Sequence, residues 1–449
     1  MARKKEYLIY KLSDEMKSNI RIDAALFNKL DVKRGLRNED GTGVLVGLTN
    51  VGDVVGYERT ADGALRPIDG RLYYCSYDMS ELAHAAMSEH RFGFEEVAYL
   101  LLSGRLPGAD ELAAFRTMTA GLMPLQQKTI LNIIELEGRD IMNILARSTL
   151  ELYTFDPTPD DLSRDNLMRQ SVELLSKFPT IIAYAYNVFR HKEHGRTLHL
   201  RHPQPNLSLA ENFLFMLKGT YTELEARTLD LLMMVHAEHG GGNNSTFTVR
   251  VTSSTGTDTY SAIAAGIGSL KGPKHGGANI KVCAMMKHLM ENISDWEDND
   301  EISRYLDRIL RREAFDKTGL IYGIGHAVYT LSDPRAVLLK EMAAKLAEEK
   351  GRLREFAFLE RVEHLAVEAI YRAKGDRKKL CANVDFYSGF VYDLIGLPEA
   401  IYTPLFAMSR IVGWCAHRNE ELNFDGRRII RPAYRCVSEV SKFIPLTER

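Results

Sequence analysis

From about Met79 onward, apolar residues recur at three- and four-residue intervals, the period of a helix that buries one face. The segments DELAAFRTMTAGL (110–122) and DNLMRQSVELLSKFPTIIAYAYNVFRH (165–191) carry this pattern, and LSLAENFLFMLKG (207–219) and ELEARTLDLLMMVHAEH (223–239) continue it. Gly219 is placed to terminate the third of these. In SDPRAVLLKEMAAKLAEEKG (332–351), Asp333 suits an N-cap, Pro334 the first turn and Gly351 the stop. The front of the chain reads differently. Residues 43–78, GVLVGLTNVGDVVGYERTADGALRPIDGRLYYCSYD, set short Val, Leu and Tyr runs between Gly, Asn and Asp, which predicts a β-hairpin region. The fold expected is mainly α with a small N-terminal β-hairpin element. Acidic ENISDWEDNDE (291–301) and basic RAKGDRKK (372–379) are expected as solvated turns.

Composition narrows the class. With 449 residues, 45% of them hydrophobic, the chain can bury a large core. Its 58 Lys and Arg nearly balance 60 Asp and Glu, so no basic field points to nucleic acid. The start, MARKKEYLIYKLSDEMK, lacks the apolar core of a secretory signal, and no uncharged run reaches membrane-spanning length. Cys75, Cys283, Cys381, Cys415 and Cys436 are scattered without CxxC spacing, which fits reduced thiols in a cytoplasmic protein.

Four stretches are not explained by helical packing: HAEHGGGNNSTFTVRV (236–251), KGPKHGGAN (271–279), YGIGHAVYTLSDPRA (322–336) and NVDFYSGFVYDLIGLP (383–398). Each sets His or Asp beside glycines, where backbone can approach a ligand. Together with SRIVGWCAHRNEE and IIRP, in this order and spacing, they resemble the citrate synthase family; the similarity runs from about Tyr73 to the C-terminus.

That resemblance implies the condensation of acetyl-CoA with oxaloacetate and water to citrate and CoA, an acyltransferase reaction with no tightly bound cofactor. A carbon acid beside a thioester is weakly acidic, so a base alone is insufficient and the developing enolate must be stabilised where its charge appears. By resemblance Asp385 is the base, His275 the hydrogen-bond donor to the enol oxygen and His326 the group that polarises and protonates the ketone. His239 is a substrate-binding residue, while His236, three residues earlier, is a candidate structural residue. The H-x-x-H pair lacks the HExxH pattern and a third ligand, so no metal is expected. His191, His194, His199 and His202 read as loop residues. A helix beginning just after His275 is expected to lower the imidazole's pKa, with its second nitrogen accepting a backbone N–H. Arg335, Arg410 and Arg431 match the arginines that hold the two oxaloacetate carboxylates, and the residue matching Arg431 acts in the neighbouring subunit's site, which implies a homodimer.

For the CoA phosphates the candidates are Lys271, Lys274, Lys374 and Lys378. Ala327 and Thr330 depart from the basic residues common at these positions in the family. The implied architecture is a large helical domain, 1–277 and 386–449, and a small one, 278–385, whose closure assembles the site and excludes water. Two alternatives stand beside citrate synthesis: 2-methylcitrate synthesis from propionyl-CoA, and a non-catalytic CoA- or tricarboxylate-binding protein. No nucleic acid or membrane partner is expected.

Overall fold

The computed structural model describes residues 2–38, 42–61, 63–136, 138–375 and 379–448. They form two compact units, Met1–Leu48 with Ile430–Arg449, and Thr49–Ile429. The small domain expected over 278–385 falls wholly inside the second unit.

In the first unit, the main element is a helix, Ala2–Asn19. Its apolar residues Tyr7, Leu8, Ile9, Tyr10, Leu12 and Met16 are exposed in the single chain.

The second unit is built on the period-3.6 pattern. The expected helices appear as Ala109–Leu122, Arg164–His194, Leu209–Lys218, Glu223–His236 and Pro334–Glu349. Gly219 caps the third with φ 86°, and the Asp333 carboxylate caps the last by accepting the Arg335 N–H at 3.0 Å. Arg164–His194 is a 31-residue rod, about 46 Å long at 1.5 Å per residue. It packs against Tyr402–Asn423, Leu209–Lys218, Ile141–Leu152 and Ala109–Leu122. Full burial of Phe178, Phe213 and Trp414 contributes about 1.5–3 kcal/mol each. His191 and His194 end the rod rather than lying in a loop, whereas His199 and His202 do lie in one.

A three-stranded antiparallel sheet holds β1 (Gly52–Arg59), β2 (Leu65–Tyr74) and the two-residue β3 (Tyr77–Asp78). Residues 43–51 of the predicted hairpin region lie outside it. The acidic run forms the exposed turn before helix Asn299–Leu310. The basic run begins as the end of helix Leu353–Lys374, and its residues 376–378 lie outside the described residues. All five cysteines are free thiols: Cys381 and Cys415 are buried, Cys75 and Cys283 partly buried, and Cys436 exposed. Among the described residues no helix is long and apolar enough to cross a membrane.

Candidate functional site

Helix termini and the turns between them bring six of the expected residues to one cavity of about 140 Å³. His239, His275, His326, Arg335, Asp385 and Arg410 line it, with Asn243, Tyr392, Tyr402 and Phe406.

His275 sits in the turn between helices Thr259–Lys271 and Ala278–Asn292. The glycines after it serve the turn itself. A Cβ at Gly276 would overlap Leu270 O, and one at Gly277 would lie 2.7 Å from Pro273 O, so this fold-back excludes side chains. His275 Nε2 lies 3.1 Å from Ser245 Oγ, so its partner is a hydroxyl and not the expected backbone N–H. Ser245 Oγ also accepts the Trp414 indole N–H at 3.2 Å and lies 2.9 Å from Asn243 Oδ1. Its own proton can go to Asn243 or to His275; in the second case the imidazole carries its proton on Nδ1. Burial first, and then Arg410, push the His275 pKa down to about 4. The ring is neutral as expected, but burial and Arg410, rather than the following helix, account for it.

Backbone N–H donation is found instead at His326. Its Nδ1 accepts from Val328 N and Tyr329 N, both at 3.1 Å, so the neutral ring carries its proton on Nε2. The ring stacks on Tyr329 at 4.7 Å and meets His239 edge-on at 5.1 Å.

Asp385 is the second residue of helix Val384–Ile395; the N-cap is Asn383, whose side chain accepts the Asp385 N–H at 3.0 Å. The helix end favours the carboxylate. Burial outweighs that and pushes the carboxyl up to about 6; Arg335 opposes the rise, Asp333 adds to it and Arg410 opposes it. A carboxylate of this kind is ionised at neutral pH yet basic enough to accept a proton.

The two arginines differ. Arg335 is buried and already forked onto Asp333, with Nε–Oδ1 3.0 Å and Nη2–Oδ2 2.7 Å. A cation in the first turn of its helix is thus answered from within the chain, and Asp333 Oδ2 also accepts the Val384 N–H at 3.2 Å. Arg410 is fully buried, lies over the Phe406 ring at 4.6 Å and donates through Nε to His236 O at 2.6 Å, while Nη1 and Nη2 have no hydrogen-bond partner among the described residues. Burial pulls its pKa down to about 10, with Glu238 opposing and Arg335 adding. Two parallel, dry, unpaired N–H groups facing a cavity match a carboxylate. His239 Nε2 is likewise buried without a hydrogen-bond partner among the described residues, and burial and Arg335 hold its pKa well down. His236 is buried and stacks on Phe406 at 4.4 Å, outside the cavity lining.

Other expected residues are not in this cavity. Arg431 is exposed and belongs to the first unit. Lys271 is exposed and pairs with Asp140 at 3.2 Å; Lys274 and Lys374 are exposed, and Lys378 lies outside the described residues. Ala327 is exposed and Thr330 buried.

Sequence reasoning missed Ser245, Asp333 as the partner of Arg335, and a buried ionic chain behind His239. Glu238 Oε1 accepts the Gly240 N–H and meets His417 Nε2 at 2.8 Å; both side chains are fully buried. Arg250 Nη1 donates to His417 Nδ1 at 2.9 Å, which leaves Nε2–H of the imidazole to donate to Glu238. Arg250 then pairs with Glu420 at 2.8 Å and Glu421 at 2.9 Å. The signal available was the density of charge in VRV and HRNEE within otherwise apolar helices.

Comparison with known proteins gives the family. Residues 41–433 match the family model described as "Citrate synthase, C-terminal domain". A citrate synthase of Haloferax volcanii is 35% identical over 399 residues, 87% of this chain and 96% of its own. A 2-methylcitrate synthase of Shewanella oneidensis is 34% identical over 383 residues, 84% of this chain and 92% of its own. The structure of a ternary complex of carboxymethyl coenzyme A and oxaloacetate with citrate synthase from the archaeon Thermoplasma acidophilum superposes with a TM-score of 0.75 at 25% identity. It covers 93% of this chain and 99% of that one.

Proposed function

Because the chain belongs to the citrate synthase family, whose members are acyl-transferring enzymes, we propose that it condenses acetyl-CoA with oxaloacetate and water to give citrate and CoA. The observation that carries this reading is the fully buried Arg410, both Nη groups without a hydrogen-bond partner among the described residues, in one cavity with the basic Asp385 carboxylate and, beside the neutral His239, the imidazoles of His275 and His326. A dicarboxylate is what such a guanidinium lacks, and an enolisation is what Asp385, His275 and His326 can perform.

Arg410, Arg335 and His239 bind and orient oxaloacetate. The Asp385 carboxylate takes a proton from the acetyl methyl group and becomes the neutral acid. His275, accepting a hydrogen bond from the Ser245 hydroxyl at Nε2, donates its Nδ1–H to the enol oxygen; neutral imidazole is matched to an enolate better than a full cation would be. The enol carbon then attacks the oxaloacetate ketone. His326 Nε2–H donates to the ketone oxygen and supplies the proton as the alkoxide forms; the proton that Asp385 took from the methyl group restores the imidazole, leaving citryl-CoA, whose thioester water hydrolyses to citrate and CoA. Lys274, exposed one residue before His275, together with Lys271, Lys374 and Lys378, forms the proposed cationic surface for the CoA phosphates.

A second copy of the chain belongs to this proposal. Tyr434 (95%), Phe443 (83%) and Leu48 (86%) are exposed in the single chain, more apolar surface than a monomer keeps in water. A homodimer that covers it brings Arg431 to the neighbouring site. The two expected domains, 278–385 and the remainder, and a cytoplasmic location are part of the same reading.

The 34% relative favours 2-methylcitrate synthesis as the second reading, since one methylene is worth only about 1–3 kcal/mol of discrimination. Thiol release with oxaloacetate and either acetyl-CoA or propionyl-CoA decides between them. The first reading expects the larger kcat/KM with acetyl-CoA; a larger value with propionyl-CoA replaces it with the second. No release with either thioester points to a binding protein instead.

A further inference from the structure

The small sheet has no role in the chemistry above, yet it touches the loop that carries His326. Strands β1 and β2 pair regularly from Gly52↔Tyr74 to Val55↔Arg71, then resume at Tyr57↔Pro67, so Ile68–Gly70 bulge opposite Gly56. The bulge frees the Gly70 N–H from the ladder. It donates instead to Ser332 O and Ser332 Oγ, both at 3.2 Å, and Ser332 Oγ donates to Asp69 Oδ1 at 3.0 Å. Tyr329 donates its hydroxyl to Arg71 O at 3.4 Å.

Both glycines at the bulge lie against the backbone of that loop. A Cβ on Gly56 would lie 2.5 Å from Val328 O, and one on Gly70 would overlap Ser332 O and lie 2.6 Å from the Tyr329 ring. Backbone cannot yield as a flexible side chain does, so either substitution must displace residues 328–332. Val328 and Tyr329 supply the two N–H groups that hold His326 Nδ1, and the Tyr329 ring is the surface on which the imidazole stacks.

We propose that the bulged hairpin is the template for His326: Gly56 and Gly70 are positioning residues that seat residues 328–332 so that two backbone N–H groups fix the Nε2–H tautomer and its aim. The consequence for catalysis rests on the reading of His326 as donor to the ketone; the coupling of hairpin to tautomer does not. Only glycine satisfies both positions, since the strand has to run within van der Waals contact of a neighbouring carbonyl. A misplacement of about 1 Å can cost a reaction about 10²-fold, so the hairpin reaches the chemistry without touching substrate.

The test uses the full-length Gly56→Ala and Gly70→Ala proteins, with ¹⁵N-labelled histidine and steady-state kinetics. The His326 signals are assigned by their loss in His326→Gln. We expect the His326 ring to pass from one tautomer to a mixture, with kcat falling about 10–100-fold and the oxaloacetate KM changing less than about threefold. Leu65→Ala, at the far end of β2, leaves both unchanged. Should the glycine variants fail to fold, Asp69→Asn combined with Ser332→Ala removes the two hairpin-to-loop hydrogen bonds made by the Ser332 hydroxyl, leaves those to Ser332 O and Arg71 O, and adds no atom near Val328; it is expected to give a partial tautomer change with a smaller loss of kcat. An unaltered His326 spectrum in the folded variants overturns the coupling. A changed spectrum with full kcat supports the coupling and overturns the assignment of His326 to the ketone.

Discussion

Replacing Arg410 by glutamine should separate binding from stability. Burial, opposed by Glu238, lowers this guanidinium from its ordinary value of 12.5 to about 10, so the group is charged in native and unfolded chains at any pH below that. At about 1.36 kcal/mol per pH unit, keeping the charge dry costs the native state on the order of 3 kcal/mol. Against this stand one charge-assisted hydrogen bond, Nε to His236 O at 2.6 Å, worth about 1.5–3 kcal/mol, and the contact of the guanidinium with the Phe406 ring at 4.6 Å, worth about 0.5–1 kcal/mol. The two nearly cancel, so the glutamine variant is expected to unfold in urea within about 1.5 kcal/mol of the parent when no ligand is present. In the proposed complex both Nη groups meet a carboxylate in a dry site. Losing one partner of such a pair costs about 2–5 kcal/mol, or about 30- to 5000-fold in oxaloacetate affinity. At about 100 times its Kd, oxaloacetate should add about 2.7 kcal/mol to the parent's unfolding free energy and less than about 1 kcal/mol to the variant's. A variant that loses more than about 3 kcal/mol without ligand, or keeps the parent's gain with it, would refute the reasoning.

The elevated Asp385 carboxyl, at about 6, sets an acid limit: kcat/KM should fall tenfold per pH unit below that value, and a flat profile from pH 7 to 5 would contradict the assignment of the base. Its native pKa lies above the unfolded 3.8, so the group favours the native state below about pH 4 and that contribution is lost as pH rises through 6. Asp385→Asn should therefore be more stable than the parent at pH 8 by on the order of 3 kcal/mol, with most of the difference gone at pH 4; equal denaturation midpoints at both pH values would count against it. His275, lowered to about 4, should show a neutral ring by ¹⁵N NMR at pH 6, and a protonated ring there would remove it as neutral donor. His417→Phe leaves the buried Glu238 carboxylate without its imidazole donor, while Arg250 keeps Glu420 and Glu421, and should destabilise by about 3–5 kcal/mol; His417→Gln, able to donate to Glu238 and accept from Arg250, should lose less than half as much. Equal losses in the two variants would make packing, and not the ionic chain, the function of this residue.

Much of this molecule can be read from sequence because helices carry their own punctuation. Asp333 and Gly219 mark ends that the structure keeps, and the glycine-flanked His275, His326 and Asp385 do reach one cavity. What cannot be read is which faces meet. The period of a helix says that Ser245 is on a buried side, not that it will face His275 thirty residues on. The 179-residue span from Glu238 to His417 has no local trace at all. The same gap explains the wrong cause for the His275 pKa: the following helix was visible in GGANIKV, while the Arg410 charge arrives from helix Tyr402–Asn423. Helix Ala2–Asn19 escaped notice because its apolar residues are mixed with charges and bury nothing within the chain.

The distribution of the thiols has a practical bearing on how this enzyme is assayed. Burial pushes Cys75 up to about 11 and Cys283, Cys381 and Cys415 up to about 12, so at pH 8 almost none of these four is thiolate, the form that attacks a chromogenic disulfide. Cys436 alone is exposed. A colorimetric readout of liberated coenzyme should thus carry a fast background of at most one equivalent per chain, from Cys436, which lies between Tyr434 and Phe443 on the surface the proposed homodimer covers, and Cys436→Ser should leave a protein that is silent to the reagent until turnover begins.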